Sequence, residues 1–256
     1  MEYEMFIKAI GEYIEIDLTK YKRPQMERRI NSLMCSQGFS NYQEYLNNIK
    51  KDDSCLSKFL DHLTINVSEF YRNPSQWEIL KQLILPQIVE VNPSPRFWSA
   101  GCATGEEPYS LAMLIRESSA AIKPLILATD IDEQVLIKAV NGVYTERSVA
   151  NVSPAILTEY FEKKEDKYHI KEEIKKMIKF RTHDLLKDTY HCNFDLILCR
   201  NVLIYFTGDT RKMLYKRFHD ALRPGGILFT GSTEQIFKAS QIGMEAIASF
   251  FYKRVS

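Results

Sequence analysis

The sequence has no Cys-x-x-Cys pair, no long apolar run and no excess of charge of either sign. Its five cysteines stand apart at positions 35, 55, 102, 192 and 199. An odd, scattered set argues against a disulfide framework or a zinc site and suits reduced, mostly buried thiols, and no metal is expected. No stretch is long and apolar enough to cross a bilayer, and the acidic start Met1-Glu2-Tyr3-Glu4 leads into no apolar segment. Neither a signal peptide nor membrane insertion is therefore expected, and a cytoplasmic address is. A formal net charge of +1 argues against reading the whole molecule as a nucleic-acid binder, so electrostatic steering has to be local.

What is present is an ordinary globular composition, 45% hydrophobic and 26% charged over 256 residues, which allows one large domain with a small companion. We expect a helical N-terminal domain over 1–80 and an α/β domain over 81–256. In the first, Phe6, Ile7, Ile10 and Ile14 repeat at helical spacing, as do Met26, Ile30, Leu33 and Met34, and then Cys55, Leu56, Phe59, Leu60 and Leu63. Further helices are expected over 43–49 and 76–91. The segment Lys20-Tyr21-Lys22-Arg23-Pro24-Gln25-Met26-Glu27-Arg28-Arg29 concentrates positive charge. It reads either as a solvated helix face or as a docking patch for an acidic partner. In the polar-aromatic stretch 64–74, Asn66 and Ser68 could cap a helix. Arg72, flanked by Phe70 and Tyr71 at a domain junction, suits stacking or binding a carboxylate.

From Pro95 onward strand and helix patterns alternate, as a doubly wound parallel sheet requires. The expected strands are 96–100, 125–129, 179–182, 194–199 and 226–230, with 249–254 as a late antiparallel addition. The expected helices include 107–116, 133–140 and 209–222, the last ended by Pro224-Gly225-Gly226. Residues 145–178 are more than a connection needs and read as an inserted subdomain. Its hairpin is expected from 168–170 and 174–178, lined by Lys171, Lys175, Lys176 and Lys179. That hairpin would be either a specificity element or packing over the sheet edge.

The chain is organised around Arg96-Phe97-Trp98-Ser99-Ala100-Gly101-Cys102-Ala103-Thr104-Gly105-Glu106-Glu107-Pro108-Tyr109-Ser110, which reads as a buried strand, a glycine turn and a helix. Such a loop is either a ligand cradle at the carboxyl end of a strand or a plain strand-to-helix turn. The spacing is not G-x-G-x-x-G, and Glu106 and Glu107 would repel a pyrophosphate. That disfavours a nicotinamide dehydrogenase. A cationic ligand suits the loop, and S-adenosylmethionine, with a sulfonium, an ammonium and a ribose but no phosphate, fits. Asp130, at the end of the second strand, is placed for both ribose hydroxyls or else caps the next helix, whereas Asp132 is better explained as that cap. Asp184 could accept from an adenine amino group or simply be a turn residue. Arg200, Asn201 and nearby Tyr205 follow the fourth strand and are groups for holding an anion. The Asn/Asp-Pro-Pro-aromatic loop expected of an amino-methylating nucleic-acid enzyme is absent there.

Taken together, Ser-Ala-Gly-Cys-Ala-Thr-Gly-Glu-Glu-Pro-Tyr-Ser, Thr-Asp-Ile-Asp, Cys-Arg-Asn-Val-Leu-Ile-Tyr-Phe, Arg-Pro-Gly-Gly-Ile-Leu and the upstream Asn-Val-Ser-Glu-Phe-Tyr-Arg resemble the chemotaxis receptor methyltransferases, the CheR family. The resemblance spans nearly the whole chain in order. It implies a doubly wound class I S-adenosylmethionine-dependent methyltransferase sheet with a small all-helical N-terminal domain and a small β insertion. The implied activity is transfer of a methyl group to the γ-carboxylate of specific glutamates on the cytoplasmic domain of methyl-accepting chemotaxis receptors, by a monomer, leaving S-adenosylhomocysteine. By motif, Asn66, Ser68, Arg72, Gly101, Glu107, Asp130, Asp184, Leu185, Cys199 and Arg200 would line the cofactor site. Arg200, Tyr205 and Arg72 would face the reacting groups. Ser68 stands where the family has threonine, and Asp184 where asparagine can occur. The competing expectation is a non-catalytic cofactor-binding module that docks on receptors, against which Arg200 and Tyr205 argue.

A glutamate carboxylate, with an unperturbed pKa of about 4.3, is ionised at neutral pH and needs no general base to attack a sulfonium methyl. That agrees with the lack of a candidate catalytic histidine.

Overall fold

The computed structural model describes residues 1–64, 66–118, 122 and 124–255, and its packing divides into two units. The first comprises Met1–Asn66 together with Ile204–Met213. Four helices make most of it: α1 (Tyr3–Ile14), α2 (Arg23–Ser36), α3 (Tyr42–Ile49) and α4 (Asp53–Leu63). Asn41 and Asp52 cap α3 and α4, accepting from the N–H groups of Glu44 and Ser54 at 2.9 Å each. The apolar faces converge on Phe6, Ile10, Tyr45 and Phe59, which are all buried. The discontinuous segment is tied in by backbone: the Lys22 N–H donates to the Tyr205 carbonyl at 2.8 Å, and the Thr207 N–H to the Lys20 carbonyl at 2.9 Å.

The second unit comprises Val67–Leu203 and Leu214–Ser256. Residues 67–80, assigned to the helical domain from sequence, pack here instead, because Phe70, Trp77 and Leu80 are buried in this unit's core. The expected helix over 76–91 is α5 (Pro74–Ile79), a π turn (Leu80–Ile84) and α6 (Leu85–Val91). Pro86 lies just beyond the π turn and has no N–H to give to the preceding turn, and the wider turn, with Leu85 N–H bonding to the Leu80 carbonyl, accommodates it.

There follow β1 (Arg96–Ala100), α7 (Glu106–Ser118), β2 (Leu125–Asp130), α8 (Glu133–Asn141), β3 (Val143–Thr145), α9 (Pro154–Tyr160), β4 (Phe161–Lys164), β5 (Lys167–Ile170), α10 (Glu172–Lys175), β6 (Ile178–Thr182) and β7 (Phe194–Cys199). A short 3₁₀ turn (Leu203–Tyr205) leads to α11 (Gly208–Ala221), β8 (Leu222–Thr230), β9 (Met244–Ala248) and β10 (Phe251–Arg254). Seven strands form one sheet in the order β6-β2-β1-β7-β8-β10-β9. β6, β2, β1, β7 and β8 pair in parallel, and β10 runs antiparallel to β8. β7 is buried along its whole length, as a central strand covered on both faces should be.

Three expectations need correction. The strand expected over 226–230 begins earlier, at Leu222, directly after the helix stops at Ala221, and β8 runs through Pro224-Gly225-Gly226 with an irregular register opposite β7. The antiparallel end of the sheet is the pair β9 and β10, of which only β10 was expected. The insertion's hairpin is β4 and β5, turning at Glu165 in the left-handed region (φ 53°), and β3 joins them in a three-stranded sheet. Residues 172–175 are helical, and Lys171 and Lys175 donate to the carbonyls of Glu159 and Asn141 instead of lining a hairpin.

Candidate active site

Strand order reverses where β1 meets β7, so the loops leaving these two strands diverge and open a crevice at their carboxyl ends. The loop leaving β1 folds as it does because of Gly101 and Gly105, at φ 81° and 95°. A Cβ on Gly101 would clash with a Val202 methyl, so here the close approach is to the chain leaving β7. The Gly101 and Cys102 N–H groups both donate to the Thr129 carbonyl, at 2.8 and 2.9 Å.

Asp130 ends β2 beside this loop. Its Oδ2 accepts from the Ala103 N–H at 2.8 Å and its Oδ1 from the Asp132 N–H at 3.1 Å, leaving lone pairs on both oxygens for a ligand. Asp132 is the cap of α8. Glu106 and Glu107 open α7. Glu106 is buried and accepts from the Thr104 hydroxyl at 2.7 Å, and a further hydrogen bond joins it to the Ser68 side chain. Glu107 accepts from the Ser99 hydroxyl at 2.8 Å and lies 3.4 Å from Arg200 Nη1. Burial pushes all three carboxyls above their ordinary range. Arg200 opposes this at Glu107, the Thr104 hydrogen bond at Glu106, and the Asp132 and Ala103 amides at Asp130.

Arg200 is buried between the Phe229 and Trp77 rings, 4.6 and 5.7 Å from their centroids. Its Nη2 donates to the Arg72 carbonyl at 2.7 Å, Gln76 Oε1 at 3.0 Å and Asn73 Oδ1 at 3.2 Å. The guanidinium expected to face substrate is thus largely occupied in holding the segment that carries Arg72. That segment is anchored again by the Tyr71 N–H on the Ser110 hydroxyl at 3.0 Å. The Arg72 side chain itself is half-buried and bonds the Val67 carbonyl at 3.4 Å. Tyr71, Asn73, Ala103 and Asn201 all have positive φ, between 45° and 61°, a concentration of backbone strain of the kind that functional sites store.

Ser68 and Asn66 cap no helix, since α5 begins only at Pro74. Asn66, in the first unit, donates to the Thr64 hydroxyl at 3.0 Å. Asp184 closes its own turn, accepting from the Leu186 N–H at 2.8 Å, and the Leu185 carbonyl accepts from Tyr190 and Arg217 at 2.8 and 2.6 Å. Cys199, at the end of β7, is fully buried, which drives its thiol well above the ordinary range. Tyr205 belongs to the first unit, where its carbonyl holds Lys22. Sequence reading passed over Asn73, Gln76 and Ser110. Of these only Ser110 carried a signal, four residues after Glu106 on the same helix face, where its hydroxyl bonds the Glu106 carbonyl at 2.6 Å.

A parallel sheet with a switch point, a glycine loop and buried carboxylates at the carboxyl ends of its strands make a doubly wound fold of the nucleoside-binding class. S-adenosylmethionine fits these residues: the carboxylates suit a cationic ligand, and Arg200 Nε and Asn201 Oδ1 are buried there without hydrogen-bond partners. Comparison with known proteins agrees. Residues 66–249 match the SAM-binding domain of the CheR methyltransferases, and residues 1–64 match their all-alpha domain. A chemotaxis protein methyltransferase of Listeria innocua is 40% identical over 252 residues, 98% of this chain and 96% of that one. Another, of Borreliella burgdorferi, is 34% identical over 249 residues, 92% and 88% of the two chains. A solved TehB-like SAM-dependent methyltransferase of Corynebacterium glutamicum is more distant, with a TM-score of 0.39 and 16% identity over 71% of this chain and 94% of that one. The chain belongs to the CheR methyltransferase family and is an S-adenosylmethionine-dependent methyltransferase.

Proposed function

We propose that this enzyme esterifies the γ-carboxylate of specific glutamates on the cytoplasmic domain of chemotaxis receptors, acting as a cytoplasmic monomer. The observation that carries this reading is the carboxylate-lined crevice at the β1/β7 switch point, on a chain that matches chemotaxis methyltransferases along nearly its whole length. Among the described residues no helix is long and apolar enough to cross a membrane.

In this reading Asp130 takes the ribose, Glu107 the ammonium, and Asp184 with Leu185 the adenine. Ser68 acts through Glu106, while Gly101 and Cys199 form walls of the pocket. S-adenosylmethionine supplies a methyl group on a sulfonium, activated for transfer. The acceptor carboxylate arrives ionised, so this chain's task is to orient it and exclude water. Arg72 supplies the guanidinium for that carboxylate, Tyr205 a hydroxyl that directs it, and Arg200 holds Arg72 in place.

The test is transfer of radiolabelled methyl to a receptor cytoplasmic fragment, followed by release under mild base, which cleaves esters and spares methylated nitrogen. Tyr205→Phe should lower kcat on the order of a hundredfold, the scale of a misplacement of about 1 Å, with little change in cofactor affinity. Wild-type turnover in that variant would remove Tyr205 from the reaction.

A further inference from the structure

We propose that Glu234, outside every residue set considered so far, is a positioning residue for methyl transfer: its carboxylate fixes the path on which Arg200 leaves β7, and through Arg200 the placement of Arg72 and Glu107. β7 ends at Cys199, and Arg200 must turn its guanidinium back to reach the Arg72 carbonyl at 2.7 Å and Glu107 at 3.4 Å. The chain achieves this by reversing at Asn201, a non-glycine residue at φ 61°. Such a conformation persists only where its surroundings enforce it.

Glu234 is what enforces it. Its Oε2 accepts from the Asn201 N–H at 2.7 Å and from the Gly231 N–H at 2.7 Å, so one oxygen joins the carboxyl ends of β7 and β8. Bonds to a charged acceptor are the stronger kind and direct both amides to one point. The junction is built for this contact. A Cβ on Gly231 would sit 2.5 Å from Glu234 Oε2 and 2.7 Å from the Asn201 nitrogen, so only glycine permits the approach. Glu234 itself is 1% exposed. Burying a carboxylate is costly and a poor way to gain stability alone, so its retention points to a geometric task.

Through the Asn201 and Gly231 N–H groups Glu234 sets geometry, so its effect should fall on turnover. The experiment compares Glu234→Ala, Glu234→Gln and Glu234→Asp in the full-length enzyme. It measures kcat and KM for a receptor cytoplasmic fragment, at a temperature well below each variant's melting midpoint. We expect kcat to fall on the order of a hundredfold in Glu234→Ala. Glu234→Gln keeps one oxygen for both amides and should recover kcat to within about tenfold of wild type. Glu234→Asp keeps the charge but withdraws the oxygen by a methylene, and should be slower than Glu234→Gln. Should the alanine variant not fold, that ordering of Gln over Asp decides alone. Turnover within about threefold of wild type in Glu234→Ala, or an aspartate variant equal to or faster than the glutamine variant, overturns the proposal.

Discussion

Asp130 does two things with one carboxylate. It holds the glycine loop through the Ala103 N–H and, in the reading proposed here, takes the ribose hydroxyls. Asp130→Ala should therefore weaken cofactor binding by roughly 1.5–3 kcal/mol, the range for hydrogen bonds to a charged acceptor. Asp130→Asn, which keeps one acceptor oxygen, should lose less. Unchanged affinity by calorimetry in the alanine variant would mean that the ribose lies elsewhere. The raised carboxyls of Glu106, Glu107 and Asp130 make a second prediction. Unfolded carboxylates titrate near about 4. Between that value and the raised folded ones the native state holds more protons, so stability of the free enzyme falls as pH rises through the window. A cationic ligand favours the ionised forms. Titration calorimetry just above the ordinary carboxylate range, in two buffers of different ionisation enthalpy, should show protons released on binding, fading as pH rises further. Proton uptake would count against these groups as the cation's partners.

At the scale of elements, β1 carries the heaviest structural duty. Trp98 is 1% exposed, bonds the Thr129 hydroxyl at 2.9 Å and meets Tyr190, Phe194 and Phe218 at 4.9–5.7 Å between ring centroids. Trp98→Ala should cost about 3–5 kcal/mol in denaturant unfolding, the range for large aromatic truncations. This strand, α7 and Asp130 were legible in sequence because an apolar run, two glycines and a row of carboxylates coincide within a few residues. The hairpin was not. Its strands β4 and β5 are polar on the open face, and Phe161 and Ile170 alone mark the buried side, too few for a period to register. The early start of β8 was hidden for a different reason: Pro224-Gly225-Gly226 reads as a turn after the helix, yet it lies in an irregular stretch of β8 paired with β7. Glu234 left no trace at all, since the N–H groups it accepts from at Asn201 and Gly231 are backbone and carry no side-chain signature.

For the whole molecule, near-neutral net charge leaves attraction to an acidic receptor surface to local patches. The structure narrows the candidate residues in α2. Arg23 pairs with Glu4 and Glu27, and Arg29 is half-buried with its guanidinium on the His62 carbonyl, but Arg28 is exposed. Arg28→Glu should raise KM for receptor and flatten its dependence on salt while sparing cofactor affinity. Equal receptor kinetics across a salt series would return α2 to a solvated face.

The pairing of Lys20–Lys22 with 205–207 has a consequence for the enzyme's history. Because Tyr205 rides on a chain segment that belongs with the helical unit, that unit is not a cassette that gene fusion or loss could trade freely. A lineage that discarded residues 1–66 would keep the crevice for the methyl donor but strand the tyrosine loop without its backbone partners.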